Sequence, residues 1–181
     1  WVSEGLGAGL ILNDTLYAGI SGIAGELGHT LQRAETGALC RCGNRGCLET
    51  VVSTSAVLTL LEPQLGRLDG FGEVLKRTAA GDPLCRRVLA QTGRHIGVAV
   101  TNLVNLINPQ RVIVGGELSS AGEVLLEPIR QMVSQYAIPS AAERVEIVLS
   151  ELGKRSEVLG AARVALDEDR VQRVNAEFVE A

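Results

Sequence analysis

The apolar positions of this chain fall into two regimes. Up to about residue 49 they come in short bursts broken by glycine, and beyond it they recur every three or four residues. In the first regime Leu10-Ile11-Leu12 and Leu16-Tyr17 flank the turn-forming pair Asn13-Asp14, which predicts a strand, a hairpin and a second strand. Gly19, Gly22, Gly25 and Gly28 then fall at every third position. No regular element tolerates that density well, because each glycine costs conformational entropy and offers no side chain to pack. Such a backbone is shaped to approach something closely.

The second regime is helical. Val57, Leu58, Leu60 and Leu61 follow the candidate caps Ser53 and Ser55 and predict a helix stopping near Pro63 to Gly66. A short helix fits Glu73 to Ala80, ended by Gly81. Asp82-Pro83 then starts a long helix, the carboxylate capping free N–H groups and the proline occupying a first-turn position where its missing donor is harmless. Leu89, Gly93, Ile96, Val100, Leu103 and Ile107 form one stripe of that helix, predicted to be buried as far as the Asn108-Pro109 stop.

Arg111 to Val114 predicts a buried strand closed by Gly115-Gly116. A helix from about Gly122 to Tyr136 comes next, with Pro128 either kinking it or marking its first turn. Val145 to Leu149 is a further strand, and Ser156 is expected to cap a last helix carrying Val158, Leu159, Ala162 and Leu166. Strands alternating with helices imply an α/β fold, a sheet with helices on its faces. The expected division is a domain over residues 1–166 and a charged tail, helical or frayed, over 167–181.

Composition narrows the picture. Hydrophobic residues make up 46% of the 181 but aromatic ones only 3%, so the core is aliphatic, and this length builds one without covalent staples. The net charge is −4 with scattered basic residues, a field that does not favour wrapping nucleic acid. No apolar run approaches the ~20 residues that span a bilayer, and no secretory leader is evident, so a cytoplasmic location with no membrane partner is expected. Trp1-Val2-Ser3 lacks an initiator Met and reads as a strand already under way, so the sequence is expected to be a fragment.

The chemistry concentrates between Gly25 and Glu49. His29, Cys40, Cys42 and Cys47 give the spacing His-x10-Cys-x-Cys-x4-Cys, with Gly43, Asn44 and Gly46 supplying a turn. Three thiolates and an imidazole form a closed tetrahedral zinc set, which is structural rather than catalytic. Reduced or disulfide-forming cysteines beside a core histidine are the alternative reading of the same spacing. Cys85 reads as an ordinary buried small residue. Glu26 and Glu49 bracket the loop, either as acceptors for sugar hydroxyls or as solvated surface groups. If His29 binds metal through one ring nitrogen, the other is left for a ligand. Gly5, Gly7 and Gly9 could cradle phosphate, and Gly115-Gly116 could let backbone approach a base; both features are equally tight turns.

Taken together, Gly25-Glu26-Leu27-Gly28-His29, Cys40-Arg41-Cys42-Gly43-Asn44-Arg45-Gly46-Cys47-Leu48-Glu49, the glycine run and Val112-Ile113-Val114-Gly115-Gly116 resemble the ROK family of repressors, open reading frames and kinases. The resemblance implies an actin/hexokinase-like ATPase (ribonuclease H-like) fold, chiefly its second lobe, with a zinc-containing loop. It implies sugar binding by Glu26, His29 and Glu49, and a structural zinc on His29, Cys40, Cys42 and Cys47. The glycines at 5, 7, 9, 115 and 116 would then be a vestigial nucleotide site.

Three departures shape the expectation. No counterpart of the family kinases' catalytic aspartate is present, so no catalytic residue is assigned. Ser3-Glu4 replaces the usual Gly-Thr and puts a carboxylate where phosphate charge would lie. The histidine-to-cysteine loop is one residue longer than usual, an insertion placed within Gln32 to Leu39. The expected protein is therefore the sugar-sensing region of a ROK-type transcriptional regulator, not an enzyme. It would contact DNA only through a separate upstream domain and would form a homo-oligomer. The alternative is an ATP-dependent sugar kinase with its aspartate upstream.

Overall fold

The structure is a computed structural model that describes residues 1–32 and 34–166. The chain divides into two compact units, Trp1–Leu149 and a second beginning at Ser150. The tail expected over 167–181 lies outside the described residues.

The first unit contains β1 (Leu10–Leu12), β2 (Thr15–Tyr17), α1 (Glu49–Val52), α2 (Thr54–Leu65), α3 (Phe71–Ala79), α4 (Pro83–Ile107), β3 (Arg111–Val114), α5 (Glu123–Tyr136), α6 (Pro139–Ala142) and β4 (Glu146–Leu149). The hairpin is as expected: β1 pairs antiparallel with β2, and Asn13 and Asp14 both take positive φ. β3 and β4 pair in parallel, Val112 opposite Ile147 and Val114 opposite Leu149, with Arg111 and Glu146 ion-paired across the start.

The core lies between α4 and the elements around it. Asp82 caps α4 by accepting from the N–H groups of Leu84 (2.9 Å) and Cys85 (3.0 Å), and Asn108 ends it in the left-handed conformation. On its inner face Leu89, Ile96, Val100 and Val104 are buried with Leu125, Ile129 and Val133 of α5 in one apolar cluster. Gly93 and Gly97 let α5 in: a Cβ on Gly93 would stand 2.4 Å from the Leu125 carbonyl oxygen, and one on Gly97 2.7 Å from the Met132 Cβ. Cys85 is buried in the same cluster, as expected, and burial pushes its thiol pKa up.

Several expectations are corrected. The strands form two separate two-stranded sheets rather than one. Trp1-Val2-Ser3 is not a strand; Val2 makes a single antiparallel bridge to Leu6, because the chain folds back with Ser3 N–H donating to Gly5 and Gly7 N–H to Trp1. β3 buries only Val114, and Ile113 is 60% exposed. The α4 stripe is buried as far as Val104 and leaves Ile107 39% exposed; Ile107 keeps the stripe's face but is the last residue of the helix, beyond the buried cluster. Of the two alternatives for Pro128, the interior position holds, since α5 begins at Glu123 and not at the proline. The four-residue helices α1 and α6 have too few turns to show a period and went unpredicted.

In the second unit a 3-10 turn over Gly153–Arg155 leads into helical residues 156–166. Ser156 does not cap this helix: its backbone is already helical and its hydroxyl donates to the Gly153 carbonyl (2.8 Å).

Candidate metal centre and ligand carboxylates

The glycines that punctuate the first regime bring two distant motifs together. Ala8 N–H donates to the Gly25 carbonyl (2.8 Å), and a Cβ on Gly25 would lie 1.7 Å from the Ala8 oxygen. One on Gly28 would lie 2.2 Å from the Leu6 oxygen. Any side chain at either position would drive the two segments apart. From Gly25 the chain enters a 3-10 turn, Leu27–His29, which presents His29.

The cysteine loop is closed by its own backbone. Cys40 N–H donates to Asn44 (2.7 Å), Gly43 N–H to Cys40 (2.9 Å) and Gly46 N–H to Ala38 (2.9 Å), while Gly43 and Gly46 take positive φ. Gln32 N–H donates to Gly46 (2.7 Å) and Leu48 N–H to Thr30 (2.9 Å), tying the loop to the segment after His29.

These turns place His29, Cys40, Cys42 and Cys47 so that their ligand atoms all lie within 4.8 Å of one another. All four cysteines of the chain are free thiols. The Sγ atoms of Cys42 and Cys47 are 3.7 Å apart, and Cys40 Sγ is 3.6 Å from His29 Nδ1. A tetrahedron with Zn–S of ~2.3 Å and Zn–N of ~2.05 Å has edges of ~3.8 Å between two sulfurs and ~3.6 Å between sulfur and nitrogen. Those two edges match the spacing a zinc-sized cation requires.

Without a cation the cage is electrostatically awkward. Burial, aided by the adjacent thiols, pushes the Cys47 pKa up to about 12, whereas a hydrogen bond from the Asn44 backbone lowers that of exposed Cys42. A bound divalent cation reverses the cost by stabilising each thiolate directly.

The carboxylates divide. Glu26 Oε2 lies 3.6 Å from His29 Nε2, the nitrogen facing away from the cysteines, and its side chain is 60% exposed. Glu49, at the first turn of α1, is buried and accepts from Leu6 N–H (3.1 Å) and from the Arg41 guanidinium. Glu49 lines a cleft of about 720 Å³ together with Glu4, Arg41, Ser55 and His95, but Glu26 and His29 are not among its walls. The structure thus joins His29 to the three cysteines and to Glu26, and it ties Glu49 to Leu6 and Arg41 at the cleft.

The predicted nucleotide-site glycines have packing roles at two positions. A Cβ on Gly5 would come within 2.8 Å of both Arg41 Nη2 and Glu49 Oε2, and one on Gly116 within 2.2 Å of the Val2 oxygen. Gly115 accepts from Val2 N–H (2.8 Å), while Gly7 and Gly9 have open space around them. Sequence reasoning missed the Arg41–Glu49 pair. Its only signal was a basic residue between two metal-ligand cysteines, with a carboxylate at the far end of the loop.

A cluster of three cysteines and a histidine able to hold a metal ion, set beside glycine-shaped backbone in an α/β lobe, marks the class of protein. The ROK family model matches residues 1–168, and the chain belongs to the ROK family. It is similar to the glucokinase of Halalkalibacterium halodurans, 35% identical over 173 residues that cover 88% of this chain and 52% of that protein. It is likewise similar to the N-acetylglucosamine repressor of Escherichia coli O6:H1, 36% identical over 166 residues covering 87% of this chain and 41% of that one. Among solved structures, a ROK family glucokinase from Streptomyces griseus in complex with glucose and AMPPNP superposes with a TM-score of 0.78 at 29% identity. That match covers 90% of this chain and 58% of the other. The fold is accordingly of the actin/hexokinase type, and the chain spans about half the length of the curated relatives it matches. Among the described residues no helix is long and apolar enough to cross a membrane.

Proposed function

We propose that this chain is the sugar-sensing region, residues 1–166, of a ROK-type transcriptional regulator, with a structural zinc on His29, Cys40, Cys42 and Cys47. The observation that carries the reading is the division of His29. Nδ1 faces Cys40 at 3.6 Å and Nε2 faces Glu26 at 3.6 Å, so one ring serves both the metal and a ligand-facing carboxylate. Zinc, when bound, cross-links the loop and fixes the ring; it takes no part in a reaction. Glu26 and Glu49 accept sugar hydroxyl protons, and His29 adds a third polar contact. DNA contacts come from a separate domain of the whole protein, which acts in the cytoplasm as a homo-oligomer.

The regulator is preferred to a kinase because of Glu4. It stands directly before the Gly5 turn and puts a carboxylate where the family resemblance would place a nucleotide's phosphates. The kinase reading keeps two supports, the 35% identity to a glucokinase and the TM-score of 0.78 against another. Isothermal titration of the full-length protein with glucose and with N-acetylglucosamine tests the sensing role. Saturable binding of either sugar, weakened about tenfold or more by Glu26→Gln, is expected. Binding unaffected by Glu26→Gln contradicts the assigned site, and sugar-dependent release of ADP from ATP replaces the regulator with the kinase.

A further inference from the structure

Arg41 lies between two of the metal-ligating cysteines, yet its side chain turns to Glu49. Nε stands 2.9 Å from Oε1 and Nη2 3.0 Å from Oε2, so both prongs of the guanidinium engage both carboxylate oxygens. Leu6 N–H donates to Oε2 as well, at 3.1 Å. A carboxylate offers about four lone-pair sites. Three donors leave one, on Oε1. The absence of a side chain at Gly5 makes room for this arrangement, since a Cβ there would press on both Arg41 Nη2 and Glu49 Oε2.

The two partners differ sharply in exposure: the Glu49 side chain is 8% accessible and that of Arg41 71%. An exposed guanidinium regains water when it lets go. A buried carboxylate cannot, and must find other donors. The pair can therefore open without loss only when something supplies hydroxyl or N–H donors to Glu49.

We propose that Arg41 is a ligand-displaced latch: in the ligand-free protein it occupies the Glu49 carboxylate, and a polyhydroxyl ligand gains that carboxylate by exchanging its own donors for the arginine's. The inference rests on the reading of Glu49 as a sugar ligand. It adds a competitor inside the site and a route to the metal loop, because the displaced residue is bonded directly to Cys40 and Cys42. The competing group is a cation and the ligand is neutral, so salt, which screens the ion pair, favours the ligand.

The test is isothermal titration of the full-length, zinc-loaded protein with glucose and with N-acetylglucosamine, at low and high sodium chloride. Arg41→Ala, Arg41→Lys and Glu49→Gln are compared with wild type. Wild-type affinity is expected to rise with salt. Arg41→Ala should bind about two- to fivefold more tightly at low salt, the range of a partly exposed ion pair, with no salt dependence and with zinc content unchanged. Arg41→Lys keeps the charge but loses the fork and should fall between the two. Affinity unchanged or weakened in both arginine variants overturns the latch and makes Arg41 a support of the loop. Glu49→Gln is the separate control. Wild-type binding in that variant would show that the ligand does not use Glu49, and the sugar reading of that residue falls whatever Arg41 does.

Discussion

The α4–α5 pair and the loop from Gly25 to Glu49 are held by different physics. Along α4 and α5, Leu89, Ile96, Val104, Leu125 and Ile129 are each no more than 2% exposed, and two glycines bring the helices into direct contact. Burial of that kind stabilises by about 1.5–3 kcal/mol per side chain and needs no partner from outside the chain. The loop buries Cys40, Cys47 and Leu48, but Leu31 and Leu39 are more than 60% exposed, and its order comes from a few backbone hydrogen bonds around three thiols. The first region is self-sufficient, and the second, on the proposed reading, is completed by a cation. A protein built this way can adjust that loop without loosening its core.

Removing the metal is the strongest way to break the comparison. Structural zinc is worth on the order of 10 kcal/mol in small zinc-binding folds. Chelation or Cys42→Ser should therefore abolish the ~1 zinc per chain and the hydrogen-exchange protection of the Cys40, Gly46 and Leu48 amides. The amides of α4 should exchange as before. Loop protection that survives zinc removal would put the order in the backbone instead.

The converse perturbation is Leu89→Ala. It should lower global stability by about 2–5 kcal/mol in denaturant unfolding while elemental analysis still finds zinc. A smaller probe of the same region is Gly93→Ala, whose Cβ meets a backbone oxygen that cannot move aside; about 1–3 kcal/mol is expected. Gly7→Ala, with open space around it, should stay within about 0.5 kcal/mol.

The smallest effect is on pH. The Asp82 cap's hydrogen bonds from the Cys85 and Leu84 backbone hold its pKa below the usual carboxylate range. A folded-state pKa below the unfolded one means stabilisation that is full above the unfolded value, about 4, and lost as pH falls through the folded value. Asp82→Ala should therefore destabilise at neutral pH and flatten the stability profile below about pH 4, by denaturant unfolding at each pH.

The same contrast explains what the sequence disclosed. α4 was legible end to end because its cap, its apolar period and its Asn-Pro stop are local signals that agree. The clustering of His29 with three cysteines was legible because those residues carry their chemistry in their identity. Contacts between segments far apart in sequence were not legible. The Gly25–Ala8 approach spans the hairpin, and Arg41 pairs with Glu49 only because the cysteine loop turns back on itself. The burial of β3 was misjudged because an apolar run cannot say how many of its faces are covered.

The central claim is that metal brace and ligand carboxylates are two shells sharing His29. Parallel measurement of zinc content and sugar affinity in Glu49→Gln and His29→Ala tests it most directly. The account predicts that Glu49→Gln keeps its zinc and loses sugar affinity about tenfold or more, whereas His29→Ala loses both together. Zinc and sugar affinity both retained in His29→Ala would contradict it.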